Sequence, residues 1–146
     1  MNEEAVGNWI RKAESDLKIG QDEMETKAPA TDAVCFHMQQ CGEKYLKAFL
    51  IFHGKEVPRT HSIAALLSEC IEIDGDFQAL GEIGADKLTD FAVDIRYGDE
   101  FYLPSGQETT EAIETARKVK DFVLRKLTVR GFEVGASPNR LQPYQE

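Results

Sequence analysis

Residues that staple a chain or hold a metal are scarce here. Cysteine occurs three times, at 35, 41 and 70, an odd count with no Cys-x-x-Cys pair. That pattern supports neither a disulfide framework nor a zinc site, and the three thiols read as small buried apolar groups. No apolar run approaches the roughly 20 residues that cross a bilayer. Positive charge is also short, with 17 Lys and Arg against 26 Asp and Glu and a net charge of −9. Such a surface repels a nucleic-acid backbone, so non-specific DNA or RNA binding is not expected. There is no glycine-rich phosphate loop, no internal repeat and no sustained apolar/polar alternation. "FEV" near the end could at most pair across a dimer. The acidic, amphipathic start "MNEEAVGNWIRKAESDL" is neither a secretory signal nor a transit peptide, and a soluble cytoplasmic protein is the default.

Helical periodicity is abundant. Over residues 3–27, Trp9, Ala13, Leu17, Gly20 and Met24 recur at steps of three and four, while Arg11, Lys12, Glu14, Lys18 and Asp22 fall mainly opposite. Pro29 suits a helix start. A second helix is expected over residues 30–53, with Val34, Met38, Cys41, Tyr45, Ala48, Phe49 and Phe52 facing in and Gly54 as the left-handed terminator. "HSIAALLSECIEI" reads as a third helix capped by Thr60 or Ser62, and "FQALGEI" as a short helical piece. A fourth helix is expected over residues 85–95, burying Leu88, Phe91, Ala92 and Ile95, and a last one over residues 108–127. These elements predict an all-α fold, an antiparallel up-and-down bundle of four to five helices over residues 1–127. Residues 128–146 read as an irregular tail.

Five stretches, in order, resemble the HEPN domain family. "WIRKAESDL" is similar to its opening helix, with an aromatic residue and Ala-x-x-Asp-Leu. "CFHMQQCGEKYLKAFLIFHG" is similar to its second helix, with Gln-x-x-Glu-Lys-x-x-Lys-Ala held at Gln40, Glu43, Lys44, Lys47 and Ala48. "PRTHSI" is similar to its Thr-His step, and "IRYGD" to its Arg-Tyr-Pro step, with Gly98 where proline is common. "EAIETARKVKDFVLRKL" is similar to its closing helix. The resemblance spans residues 3–127 and implies a helical bundle that often dimerises. It also implies proximity to small nucleotidyltransferases, in toxin–antitoxin-like pairs, and nucleotide binding. Some relatives cut RNA through Arg-x(4–6)-His, but no histidine here lies at that distance after any arginine. RNA cleavage needs a proton-transfer group beside a cation that steadies the phosphate, so no catalytic residue is assigned. A ribonuclease with an unconventional centre, His61 with Arg96, is the rival reading.

The candidate site is the polar edge of the second helix. Gln40, Glu43, Lys44 and Lys47 share that edge, with Phe36 alongside, and His61 and Arg96–Tyr97 join from elsewhere. Amide, ammonium and guanidinium groups there would meet a nucleotide phosphate or a partner protein. The competing readings are an exposed or intersubunit seam with Glu43 paired to Lys47, and a purely structural dimer. His37 and His53 lack a second ligand at metal spacing and read as ordinary helix residues. No cofactor or metal is expected. Trp9 reads as a core or dimer anchor. In the loop of residues 98–107, Phe101, Tyr102 and Leu103 read as contact residues or as a cover over the bundle end.

Overall fold

The first helix forms where the sequence supplies both a stripe and a cap. A computed structural model of the chain describes residues 2–92 and 102–134, and the statements below concern those residues. Helix α1 spans Glu3–Met24 and buries Val6, Ile10, Ala13, Leu17 and Gly20 along one face. Asn2 caps it, its side chain accepting from the Ala5 N–H at 3.0 Å. Glu3 and Glu4 lie at the positive end of the helix dipole. The chain then turns, with the Glu23 carboxylate accepting from the Ala30 N–H at 2.9 Å. Pro29 precedes the cap rather than opening the next helix.

Helix α2, Thr31–Phe52, is the axis of the fold, with 14 of its 22 residues buried. Gly20 of α1 lets the two helices approach closely, because a Cβ there would stand 2.3 Å from the Met38 methyl. Gly54 ends α2 at φ +77°, a conformation that costs a glycine little. His53 lies against Phe49 and Phe52. Burial, then Arg130, pulls its imidazole below the ordinary range.

The chain next runs back along α2 without forming a helix, so that the His61 carbonyl meets Gln39. Helix α3, Ile63–Ile73, starts there. Of the two expected caps, Ser62 accepts from the Ala65 N–H and Thr60 from the Ser62 N–H. Asp74 stops α3, and its carboxylate takes Lys126 at 3.0 Å and Arg130 at 2.8 Å. Burial raises the Asp74 carboxyl, but the bonds from Lys126, the Asp76 N–H and Arg130 outweigh it and bring the pKa down to about 2.

A 3-10 turn at Gly75–Phe77 and helix α4, Gln78–Glu82, follow. Ala85–Phe91 is a 3-10 run, not the expected α-helix. Its inward residues explain the difference: Ala85, Leu88 and Phe91 recur every third residue, the period of a 3-10 helix. Ile95 lies outside the described residues. Helix α5, Gly106–Val129, begins earlier than expected because Ser105 and Glu108 form a reciprocal capping box. It buries Thr109, Ala112, Ile113, Ala116, Val119, Val123 and Leu127.

The architecture is all-helical, and no strand occurs among the described residues. The chain returns along α2 twice without an α-helix, through the stretch of residues 54–62 and through the 3-10 run. Cys35 donates to the Thr109 hydroxyl near the starts of α2 and α5, and Phe52 meets Phe132 near their ends. Phe132 is buried in that contact rather than in a strand. The centre is aromatic, Phe77 lying 4.4 Å from Phe49 and 4.8 Å from Phe122 between ring centroids. All three cysteines are free and buried, and burial pushes the Cys41 and Cys70 thiols up. Tyr102 and Leu103 are exposed, and the Tyr102 hydroxyl donates to Glu108; Phe101 lies outside the described residues. No described helix is long and apolar enough to cross a membrane.

Two variants separate the local and global supports of this fold. Ser105→Ala, which removes one arm of the capping box, is expected to cost about 1 kcal/mol in urea unfolding. Phe77→Ala, which empties the aromatic centre, is expected to cost about 3–5 kcal/mol in the same assay.

Candidate functional site

The polar edge of α2 turns inward and divides into two clusters. A helix advances about 100° per residue, so Gln39, Glu43 and Lys47 lie along one line while His37 and Lys44 lie well around the cylinder from it.

In the first cluster, the Glu43 carboxylate is almost fully buried, its side chain 5% exposed. Oε2 accepts from Lys47 Nζ at 2.6 Å. Oε1 accepts from Gln39 Nε2 at 2.9 Å and from His61 Nδ1 at 3.0 Å. Burial raises the Glu43 carboxyl, and the bonds from Lys47, His61 and Gln39 outweigh it, holding it below the ordinary carboxylate range. Gln39, 0% exposed, also donates to the His61 carbonyl at 3.1 Å and so ties α2 to the chain entering α3. Gln40 donates to the Gln39 amide oxygen at 2.8 Å and reaches the Glu43 carboxylate at 3.5 Å, at the outer edge of the cluster. Lys47 also sits 5.8 Å from the centroid of the Trp9 ring, which is half-buried with Lys12 at the same distance. His61 is the open member, its side chain 46% exposed.

In the second cluster, Asp16 of α1 accepts from Lys44 Nζ at 2.7 Å through Oδ2 and from His37 Nδ1 at 2.7 Å through Oδ1. Asp16 is buried and stands on the face of α1 that carries Ala13, Leu17 and Gly20.

Each cluster therefore joins one carboxylate, one ammonium and one imidazole. Of the expected site residues, Glu43, Lys47 and His61 come together, with Gln40 at the edge. Lys44 belongs to the Asp16 cluster. Arg96 and Tyr97 lie outside the described residues. Asp16, Gln39 and His37 are the members that sequence reasoning missed. Asp16 had a signal, since it falls within the inward period of α1, and Gln39 stands four residues before Glu43 as Lys47 stands four after it. The expected Glu43–Lys47 pair is present, but in the interior rather than on an exposed seam.

The HEPN domain model matches residues 6–127 of the chain. Two solved structures are similar. One is an archaeal HEPN homologue, 25% identical, with a TM-score of 0.60, covering 84% of this chain and 97% of its own. The other is a Thermus thermophilus protein, 25% identical, with a TM-score of 0.65, covering 84% of this chain and 98% of its own. No curated protein matches.

Glu43→Gln leaves the buried Lys47 charge without its counter-ion, and the expected loss is about 3 kcal/mol at pH 7 by urea unfolding. The Glu43 carboxyl titrates lower in the folded chain than the roughly 4.3 of an unfolded one. Its contribution is thus complete above that pH and is lost as pH falls through the folded value. The gap between Glu43→Gln and the parent should be widest at pH 7 and smaller at pH 3, and Lys47→Met in the variant should recover part of the loss.

Proposed function

The chain belongs to the HEPN domain family, and on that premise we propose that it is a non-catalytic helical module that recognises a protein partner, a small nucleotidyltransferase, and works as a homodimer. The observation that supports partner docking over nucleotide capture is the pairing of both seam lysines. Lys44 is held by Asp16 and Lys47 by Glu43, at 2.7 and 2.6 Å. A phosphate entering this seam would have to draw an ammonium from a carboxylate that already neutralises it. A partner's polar surface instead meets a set of oriented groups: the half-exposed His61, the Gln40 amide and the ring of Trp9. Glu43 holds His61 directly, Gln40 through Gln39 and, through Lys47, a cation against the Trp9 ring, which lowers the ordering cost of an encounter. The net charge of −9 adds a preference for a partner surface with basic character.

Isothermal calorimetry of the full chain with ATP and GTP is expected to give no binding heat up to millimolar nucleotide. Saturable heat that disappears in Lys44→Ala would overturn the docking reading in favour of a nucleotide site. Co-expression with a small nucleotidyltransferase from the same genome should yield a co-eluting complex. His61→Ala should weaken that complex at least tenfold, with the homodimer's sedimentation unchanged.

A further inference from the structure

Helix α2 ends on a histidine that docking does not use. His53 precedes the left-handed Gly54, and its ring lies against Phe49 and Phe52, with centroids 4.6 and 5.2 Å away. Phe52 in turn meets Phe132, and the Arg130 guanidinium lies 5.3 Å from the Phe49 centroid. The His53 ring therefore stands where the last turn of α5 closes on the end of α2. Two bonds hold that turn. The Phe132 N–H donates to the Leu127 carbonyl at 3.0 Å, and Arg130 donates to Asp74 at 2.8 Å.

The surroundings suit an uncharged ring. Nε2 is enclosed and has no hydrogen-bond partner among the described residues. A neutral imidazole can leave one nitrogen bare, whereas the cation carries an N–H on both. Charging His53 thus places a buried N–H without an acceptor inside the contact. Beyond burial, two charges act on the ring, Arg130 against the cation and Asp74 in its favour. Asp74 is already engaged by Lys126 and Arg130, and with a pKa of about 2 it stays ionised near neutrality. The negative end of α2 would also favour a cation. There, however, the Phe49, Leu50 and Ile51 carbonyls already accept from the N–H groups of His53, Gly54 and Lys55. Burial and Arg130 prevail, and the closed chain holds His53 below the ordinary histidine range.

We propose that His53 is an acid-sensitive latch: uncharged, it lets the last turn of α5 close on the end of α2; charged, it sets a second cation beside Arg130 and an unmatched N–H between the two ends, and the turn opens. The sign follows from the depressed value. Closure is complete above the roughly 6.5 of an unfolded histidine and is lost as pH falls through the lower folded value. Asp74 does not titrate in that window. His37 and His61 are bonded to Asp16 and Glu43, away from this contact. The opening is local, because α1 meets α2 through other residues, Gly20 against Met38 among them.

The test is amide hydrogen exchange of the isotope-labelled full chain between pH 7.5 and pH 5, read as protection factors so that the intrinsic pH dependence of exchange is removed. The Gly131 and Phe132 amides should lose protection by about threefold or more on acidification, while Leu46 and Ala48 inside α2 hold theirs. The loss should follow the titration of the His53 ring, recorded on the same sample. In His53→Phe, which keeps an aromatic ring against Phe49 and Phe52 but cannot be charged, protection at Phe132 should be the same at both ends of the range. Three results overturn the proposal: no loss by pH 5, an equal loss in His53→Phe, or a loss whose midpoint follows His37 or His61 instead. Should His53→Phe fail to fold, the match or mismatch of the two titrations in the unaltered chain decides alone.

Discussion

A helix buried on nearly all sides cannot hold a charge without a counter-charge beside it, and α2 is such a helix. Fourteen of its residues are enclosed, among them Glu43 and Lys47. Moving either ion alone out of water costs several kcal/mol, so each is retained only where the other, or a donor of equal reach, stands next to it. The rest of the polar architecture follows from this. Gln39 is enclosed because Glu43 needs more donors than Lys47 supplies. The chain entering α3 passes where it does because its histidine and carbonyl complete the set. Asp16 answers Lys44 in the same way from α1. These contacts contribute less to net stability than the aromatic centre does, but they fix how α1, α2 and the start of α3 sit along one another.

That division of labour is general for helical bundles. Apolar stripes bring helices together with little preference for register, since one leucine resembles another across the gap. A buried ion pair or amide is less forgiving, because a shift of one turn leaves it without a partner. The two carboxylate clusters lie on neighbouring faces of α2, one locking the α1 contact and one the approach of α3. At the other end of the molecule, Asp74 performs a related task, clamping the last turn of α5 through Lys126 and Arg130.

How far the sequence revealed this depends on the kind of signal. The long helices were readable from their apolar periods, and the HEPN resemblance followed from motifs that the family model also matches. The segment of residues 85–91 was misread because Ala85, Leu88 and Phe91 satisfy both an α and a 3-10 spacing over so short a run, and only the tertiary contacts choose between them. The start of α5 was missed because Ser105 follows Pro104, and the capping box was passed over as loop. For the site, the residue types were legible and their grouping was not. Periodicity says that Lys44 and Lys47 share an edge of α2, but not that α1 presents an aspartate to one of them. Gln39 and Gln40 are indistinguishable by composition, and only the path of the chain before α3 decides which one is enclosed.

The three thiols carry a last consequence. Cys35, Cys41 and Cys70 are each 0% exposed and stand on α2 and α3, the innermost elements. An alkylating reagent meets them only in molecules whose bundle has come apart, and while the bundle is closed burial also holds the Cys41 and Cys70 thiols in the unreactive protonated form. The chain thus carries its own clock for opening. The rate at which iodoacetamide consumes the cysteines counts how often α2 is laid bare, and the same enclosure protects the protein from casual oxidation for as long as it stays closed.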